Sequence, residues 1–508
     1  MSKSVSIRLG ASAVGQNLAE YLAHAGYLVH ADCGGKGKCG KCRVRLVQGH
    51  LYGDAACTRF ATPDADGCVL SCRTWICEGA VIELPEQKGN GLVAFAKKAT
   101  DMGKGTPDGT LGFALDVGTT TLACALVDVR DGSVLGTASA LNPQASFGAD
   151  VISRIEAVMQ RPEALGQMQS ALLDRVREMM TELAPGKRIA RMTVAGNPTM
   201  LHIFCGVSPI GMGTYPFTPV FTETRTLDGA ALGLPAETVT CLPGISAFVG
   251  GDLTAGLLHV DLCACAQPAL LIDIGTNGES VLFTGTDNGG KLYAASAAAG
   301  PAMEGAGIST GMGGVTGAVC AVRIQSGLPV CTTVGDVPAR GICGSGLIDL
   351  VSALYQSDLL DETGAFEIGD HFAYATTEDG TPLSLTQADI RAFQLSKSAI
   401  RASVDALVKH ASLSPADIAQ VYLAGGLGYY MNVSSAVAIG LLPRAFRDRT
   451  QSVGNASLGG CVRALADPAG LDALGADAAR TVTLELSTDA VWNQSFMENM
   501  LFPEKDEI

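Results

Sequence analysis

Residues 111–129 read LGFALDVGTTTLACALVDV. Two apolar runs meet at a Gly/Thr turn, the pattern of a buried β-hairpin. Residues 269–283, ALLIDIGTNGESVLF, repeat the design: an apolar strand, Asp-x-Gly-Thr, then a second strand. In each, the first strand ends at an acid, Asp116 or Asp273, and the chain turns sharply. Such a recurrence predicts a duplicated α/β domain with a cleft between its halves. Helical periodicity fills the intervals, as in ALGQMQSALLDRVREMMTEL at 164–183 and QADIRAFQLSKSAIRASVDALVKHA at 387–411.

The turn residues carry chemistry. Gly118, Thr119, Thr120 and Thr121 in the first turn, and Gly275, Thr276, Asn277 and Gly278 in the second, combine close backbone approach with successive donors, the makings of an anion nest. Asp116 and Asp273 suit Mg²⁺ held through water, because that ion keeps several waters and takes few carboxylates beside phosphate oxygens. One such hairpin alone would be an ordinary glycine turn. A third element strengthens the pair: in VYLAGGLGYYMN, 421–432, a strand runs into Gly425-Gly426 and a helix, so a nucleotide can lie against backbone. In this order the three resemble the phosphate-1, phosphate-2 and adenosine motifs of the actin and sugar-kinase (ASKHA) superfamily over about residues 111–450. GICGSGLIDL, 341–350, fits the segment linking the second and third motifs. NPQASFGADVISRI (142–155), VAGNPTMLHIF (194–204), PGISAFVGGDLTAG (243–256) and GPAMEGAGIS (300–309) read either as cleft lining or as structural turns. Asp252, a further candidate for Mg²⁺, and Glu304 are the acids expected nearest the nucleotide. His202, in an apolar run, reads as a packed histidine.

The first 86 residues form a separate α+β unit: a strand in VSIRL, a helix in GQNLAEYLAHAGY, then strands in CRVRLVQG and VLSCRTWICEGAVIELP. Between them lies DCGGKGKCGKC, 32–42. Its spacing is Cys33-x5-Cys39-x2-Cys42, with twenty-nine residues before Cys72. Soft thiolates suit iron–sulfur clusters and zinc. Zinc remains the main alternative, although structural zinc sites usually draw on two short cysteine pairs and only one is present. Cys57, Cys68 and Cys77 compete with Cys72 for the fourth position. The spacing resembles the adrenodoxin and putidaredoxin type of 2Fe-2S ferredoxin, which implies a β-grasp fold and ligation by Cys33, Cys39, Cys42 and Cys72. The expected organisation is therefore a ferredoxin domain at 1–86, a Gly/Lys-rich linker at 87–110, and an ASKHA domain at 111–508. Its lobes are expected at 111–267 and 268–450, with a strand and helix in 451–508.

Composition sets limits. The net charge of −15 argues against nucleic-acid binding, which needs a basic face. Locally, Lys36, Lys38, Lys41, Arg43 and Arg45 gather near the cysteine loop, either as a solvated face or as a docking patch for an acidic partner. The opening MSKSVSIRLG lacks a secretory pattern, and no apolar run reaches the roughly eighteen residues of a spanning helix. A cytoplasmic location is expected, with no membrane partner. There disulfides are rare. Later cysteines, in settings such as TLACAL and GAVCAV, read as buried free thiols.

A ferredoxin unit joined to an ASKHA unit is an uncommon pair. The motifs CGGKGKCGKCRV, LDVGTTT, ASFGADVISRI, AGNPTM, IDIGTNGE, GPAMEGAGI, GICGSGLID and LAGGLG resemble the reductive activators of corrinoid proteins. Some members carry a middle domain, where this chain is expected to have only the short linker. The resemblance implies an ATP-hydrolysing reductase that returns Co(II) to Co(I) in the corrinoid protein of a methyltransferase or O-demethylase system. It also implies electrons from an upstream low-potential donor and a homodimer formed through the ASKHA domain. Asp116 and Asp273 would then be catalytic, beside an ATP site made by the turn residues, Glu304, Gly425 and Gly426. Two other functions fit the motifs: a small-molecule ASKHA kinase gated by a redox-sensing ferredoxin unit, and a non-enzymatic ATP switch that passes electrons. The activators of 2-hydroxyacyl-CoA dehydratases share the ASKHA fold but bridge a 4Fe-4S cluster between subunits.

Overall fold

Both expected hairpins form. Leu111–Val117 pairs antiparallel with Thr121–Asp128, placing Asp116 opposite Ala123. Ala269–Ile274 pairs antiparallel with Gly278–Phe283, placing Asp273 opposite Glu279. The computed structural model describes residues 5–10, 13–24, 42–84, 110–325 and 327–505. Cys33, Cys39, Lys36, Lys38, Lys41 and nearly all of the linker lie outside the described residues.

Each hairpin sits in a six-stranded sheet. In the first, Arg225–Asp228 is followed in space by Ala236–Cys241, Ile189–Gly196, Leu111–Val117, Thr121–Asp128 and Val134–Leu141. In the second the order is Thr450–Gly454, Gln420–Ala424, Ala269–Ile274, Gly278–Phe283, Leu292–Ala297 and Val482–Thr483. Five strands correspond one to one. Two parallel pairings lead to the hairpin strand, and two antiparallel pairings leave it. The duplication therefore extends to the topology of each sheet. Because helices cover both faces, the central strands are apolar along nearly their whole length rather than alternating.

Two helices join the halves. Gly251–Val260 and Ala456–Ala466 share one buried cluster with both sheets, including Ala114 and Val127 of the first and Leu271 and Phe283 of the second. They cross so closely that a Cβ on Gly460 would lie 1.9 Å from the Ala255 carbonyl oxygen. The outer face of the first sheet packs on the helix Glu163–Leu183, and that of the second on Gly344–Gln356 and Gln387–His410. The tail serves both halves. Thr450–Gly454 edges the second sheet, Ala456–Ala466 crosses to the first, and Val482–Thr483 returns to the second. The boundary drawn at 450 thus falls at the start of an edge strand.

The N-terminal unit is a four-stranded sheet ordered Val5–Arg8, Val81–Leu84, Arg43–Gln48 and Cys68–Leu70. The helix Leu18–His24 covers it, and its small core holds Leu18, Leu22, Val44 and Ile82 together with Cys42 and Cys72. Among the described residues no helix is long and apolar enough to cross a membrane.

Candidate nucleotide cleft and iron–sulfur site

In both sheets the parallel strands end on the same side, where open α/β sheets bind ligands. Asp116 and Asp273 are the penultimate residues of their strands. Asp252 stands in the first turn of Gly251–Val260, Glu304 ends the short turn Pro301–Glu304, and Glu279 faces Asp273 across the hairpin. These carboxylates are close enough to perturb one another. Burial, then Asp116, pushes Asp252 up to about 7. Burial, then Asp252, Asp116 and Glu304, pushes Asp273 up to about 7. Burial, then Asp252 and Asp273, holds Glu279 well above the usual carboxylate range. Burial raises Asp116 against hydrogen bonds from Asn455 and Ser457. Desolvation raises Glu304 against a hydrogen bond from Thr276, but its side chain is exposed, so solvent tempers that push.

A divalent cation would relieve this crowding and return the carboxylates to anions. Among the described residues no three His, Cys, Asp or Glu side chains converge to chelate an ion directly. The arrangement therefore suits an ion that keeps its own waters and takes phosphate oxygens.

Each turn is held from behind. Asn455 Nδ2 donates to Asp116 Oδ2 at 2.8 Å, and Ser457 Oγ donates to Oδ1 at 2.7 Å. Asn455 also caps its own helix, accepting from the Leu458 N–H at 2.8 Å. At the first turn, Asn197 Nδ2 donates to Thr119 Oγ1 at 2.9 Å, and Asn142 Nδ2 to the Gly118 carbonyl at 2.8 Å. Arg154, fully buried, donates to the carbonyls of Thr119 at 2.6 Å and Gly148 at 3.0 Å, and to Gln144 Oε1 at 3.0 Å. Burial lowers its pKa to about 9. A cation is thus built in beneath the first turn. Thr120 is exposed at its tip, and Thr121 opens the next strand.

At the second turn, Thr276 Oγ1 donates to Glu304 Oε2 at 2.6 Å, and the Gly275 N–H to the Asn277 carbonyl at 3.0 Å. Gly278 pairs with Ile274 in the hairpin. Gly425 and Gly426 begin the short helix that follows Gln420–Ala424. Gly425 has φ +87°, and a Cβ there would meet the Ile274 carbonyl at 2.6 Å and Asp273 Oδ1 at 2.7 Å. The third motif thus touches the second. His202 is a packed histidine. Its Nδ1 donates to the Pro198 carbonyl at 2.7 Å, while Nε2 accepts from the Val220 N–H at 3.0 Å.

Sequence reasoning overlooked Glu279, Arg154, Asn197, Asn455 and Ser457. The first three lie inside quoted motifs, and the hairpin register would have exposed Glu279. Asn455 and Ser457 carry no local signal.

In the N-terminal unit, Cys42 Sγ and Cys72 Sγ are 3.2 Å apart, and both residues are buried. The Cys72 thiol is the largest influence lowering Cys42, which titrates at about 6. Cys57, Cys68 and Cys77 are only partly buried, and the thiols of Cys57 and Cys68 lie at the Ala55 and Asp66 carbonyls. The hydroxyl of Ser71, beside Cys72, is buried without a hydrogen-bond partner. Two adjacent soft thiols and an unsatisfied donor fit a thiolate-bound cluster. Within the basic group, Arg43 is ion-paired with Asp64 at 2.6 Å and Asp66 at 2.8 Å.

Known protein families match most of the chain. Residues 10–77 match the 2Fe-2S iron–sulfur cluster binding domain. Residues 111–264 match the RACo middle region, and 267–508 the C-terminal domain of RACo, the ASKHA domain. The expectation of a linker in place of a middle region is thereby corrected: the first sheet, read from its motifs as an ASKHA lobe, is the stretch matching the middle region. The corrinoid activation enzyme RamQ of Eubacterium limosum is 33 % identical over 421 residues, 77 % of this chain and 70 % of that protein. A Co(II) methylated amine-specific corrinoid protein reductase of Methanosarcina barkeri is 25 % identical over 390 residues, 68 % of each. A solved structure of a reductive activator for a corrinoid, iron–sulfur protein superposes with a TM-score of 0.71 at 28 % identity, over 98 % of this chain and 96 % of that one. The chain therefore belongs to the RACo family, the reductive activators of corrinoid proteins.

Proposed function

We propose that the protein reductively activates a corrinoid protein at the expense of ATP, returning inactive Co(II) to Co(I) for a methyltransferase or O-demethylase system. The observation that carries this reading is the pairing, in one chain, of an adjacent buried thiol pair with a cleft whose three motifs meet around crowded carboxylates. Relatives named for corrinoid activation and for Co(II) corrinoid protein reduction support it.

Cys33, Cys39, Cys42 and Cys72 would hold the 2Fe-2S cluster, which supplies one-electron transfer when bound. Asp116, Asp252 and Asp273 would hold Mg²⁺ through water, or orient the attacking water. The backbone N–H groups of Gly118–Thr121 and Gly275–Gly278 would position phosphates, the main task in phosphoryl transfer. Gly425 and Gly426 would let the adenosine lie against backbone. Reduction to Co(I) is uphill, and for one electron each ~59 mV of mismatch is a tenfold factor, about 1.4 kcal/mol. ATP can offset it only by favouring one conformational state over another.

The test is anaerobic: protein, reductant and a Co(II) corrinoid protein, with and without MgATP. Co(I) absorbance is expected to grow faster with MgATP. Equal rates sink the proposal, and rapid ADP release that depends on a phosphoryl acceptor would mark a kinase instead.

A further inference from the structure

Ser71 is 0 % exposed, and its hydroxyl is one of few buried side-chain groups without a partner among the described residues. Buried hydroxyls are seldom left so. The backbone of Ser71 is fully engaged: its N–H donates to the Cys42 carbonyl at 2.9 Å, and its own carbonyl accepts from the Thr74 N–H and hydroxyl, each at 3.3 Å. This holds the residue, next to Cys72 in sequence, against Cys42 as well, and the thiols of those two cysteines stand 3.2 Å apart. The turn Ser71–Arg73 lies under the helix Leu18–His24, whose buried side chains Leu18, Ala19 and Leu22 offer no acceptor.

We propose that the Ser71 hydroxyl donates a hydrogen bond to the Cys42 thiolate of the loaded cluster and raises its reduction potential. The proposal rests on the 2Fe-2S reading of this unit. A donor at a cluster sulfur stabilises the more electron-rich reduced state, and the dry surroundings strengthen the bond. Ser71 is then a positioning residue that sets how readily the unit accepts an electron and how strongly it reduces a partner.

The experiment is an anaerobic redox titration of full-length protein, followed by electron paramagnetic resonance, with iron and sulfide content measured alongside. Ser71→Ala is expected to lower the midpoint by about a tenfold change in the reduction equilibrium, ~59 mV for one electron. Ser71→Thr keeps the hydroxyl and should stay near the parent value, whereas Ser71→Val, of the same shape, should fall with Ala. The Thr/Val pair isolates the hydroxyl even where Ala disturbs packing. Equal potentials for Thr and Val, or loss of the cluster in every variant, overturn the proposal. Parent protein that carries zinc, or lacks iron, refutes the cluster reading itself.

Discussion

Asn455 reaches Asp116 across 339 residues of chain and donates to its carboxylate at 2.8 Å. The same side chain caps the helix Ala456–Ala466 through its oxygen. One residue thus ends a helix and holds a cleft acid, and substitutions can separate the two tasks. Asn455→Asp keeps the capping oxygen but loses the donor and faces Asp116 with a like charge. Losing a hydrogen bond to a charged group removes about 1.5–3 kcal/mol, so MgATP-stimulated turnover should fall roughly tenfold or more. Melting temperature should fall for both, for Asp through the lost donor and the like charge, and for Ala through the lost donor and a cap of about 1 kcal/mol. Asn455→Asp with parental turnover would show that this grip is not needed.

Asp252 and Asp273 both lie raised to about 7 from an ordinary 3.8. A folded-state pKa above the unfolded one means that the folded protein binds more protons between those values. The stability each group contributes is full below about 4 and lost as pH rises through about 7. Metal-free protein should therefore lose melting temperature between pH 5 and pH 8. The buried His202 and His259, whose pKa values are lowered, act in the opposite sense, so the comparison is with Asp273→Asn, whose slope should be shallower. Mg-nucleotide should stabilise the parent most at pH 8. Identical slopes for parent and variant would contradict the crowding argument.

Gly425→Ala would force a Cβ to within 2.6 Å of the Ile274 carbonyl and 2.7 Å of Asp273 Oδ1 at positive φ. The strain is about 1–3 kcal/mol before any clash is relieved. Because the displaced group is a cleft acid, nucleotide affinity should fall further than melting temperature. Isothermal titration with a non-hydrolysable ATP analogue checks this. An unchanged affinity would place the nucleotide away from Gly425.

Arg154 spends its guanidinium on three oxygens, among them the Thr119 carbonyl. Lysine cannot span them, since its ammonium is a single point on a flexible stem. Arg154→Lys should therefore destabilise nearly as much as Arg154→Met, by about 3 kcal/mol, the scale of a broken buried network. Thermal or denaturant unfolding of both variants measures it, and full rescue by lysine would argue for charge over geometry.

The structure pairs Cys42 with Cys72 and leaves Cys68 and Cys77 apart. Cys72→Ala should abolish the visible absorption and iron content of a 2Fe-2S protein, while Cys68→Ala and Cys77→Ala should keep both. Iron loss in Cys68→Ala alone would move the fourth ligand.

What the sequence made legible was local. The two hairpins declare themselves in fifteen to twenty residues, because a buried strand, an acid and a glycine turn are contiguous. The preference for Cys72 rested on one long gap and on its LSCR setting. Asn455 and Ser457 were invisible because their meaning arises only when the tail crosses back to the first sheet. Glu279 lies within the second hairpin motif, but its burial beside Asp273 depends on a turn that sets the hairpin register. The middle region escaped because its strands pair in the same order and sense as those of the second sheet.

The helix Ala456–Ala466 has a mechanical consequence. Its preceding strand belongs to the second sheet, its flank lies on the first, and only Asn455 separates that strand from the helix. With Gly460 pressed on Ala255, the helix cannot slide along its neighbour. Any rotation of one half against the other would strain this junction, where Asn455 holds the Asp116 carboxylate. One asparagine thus ties the join between the halves to a carboxylate at the end of the first hairpin strand.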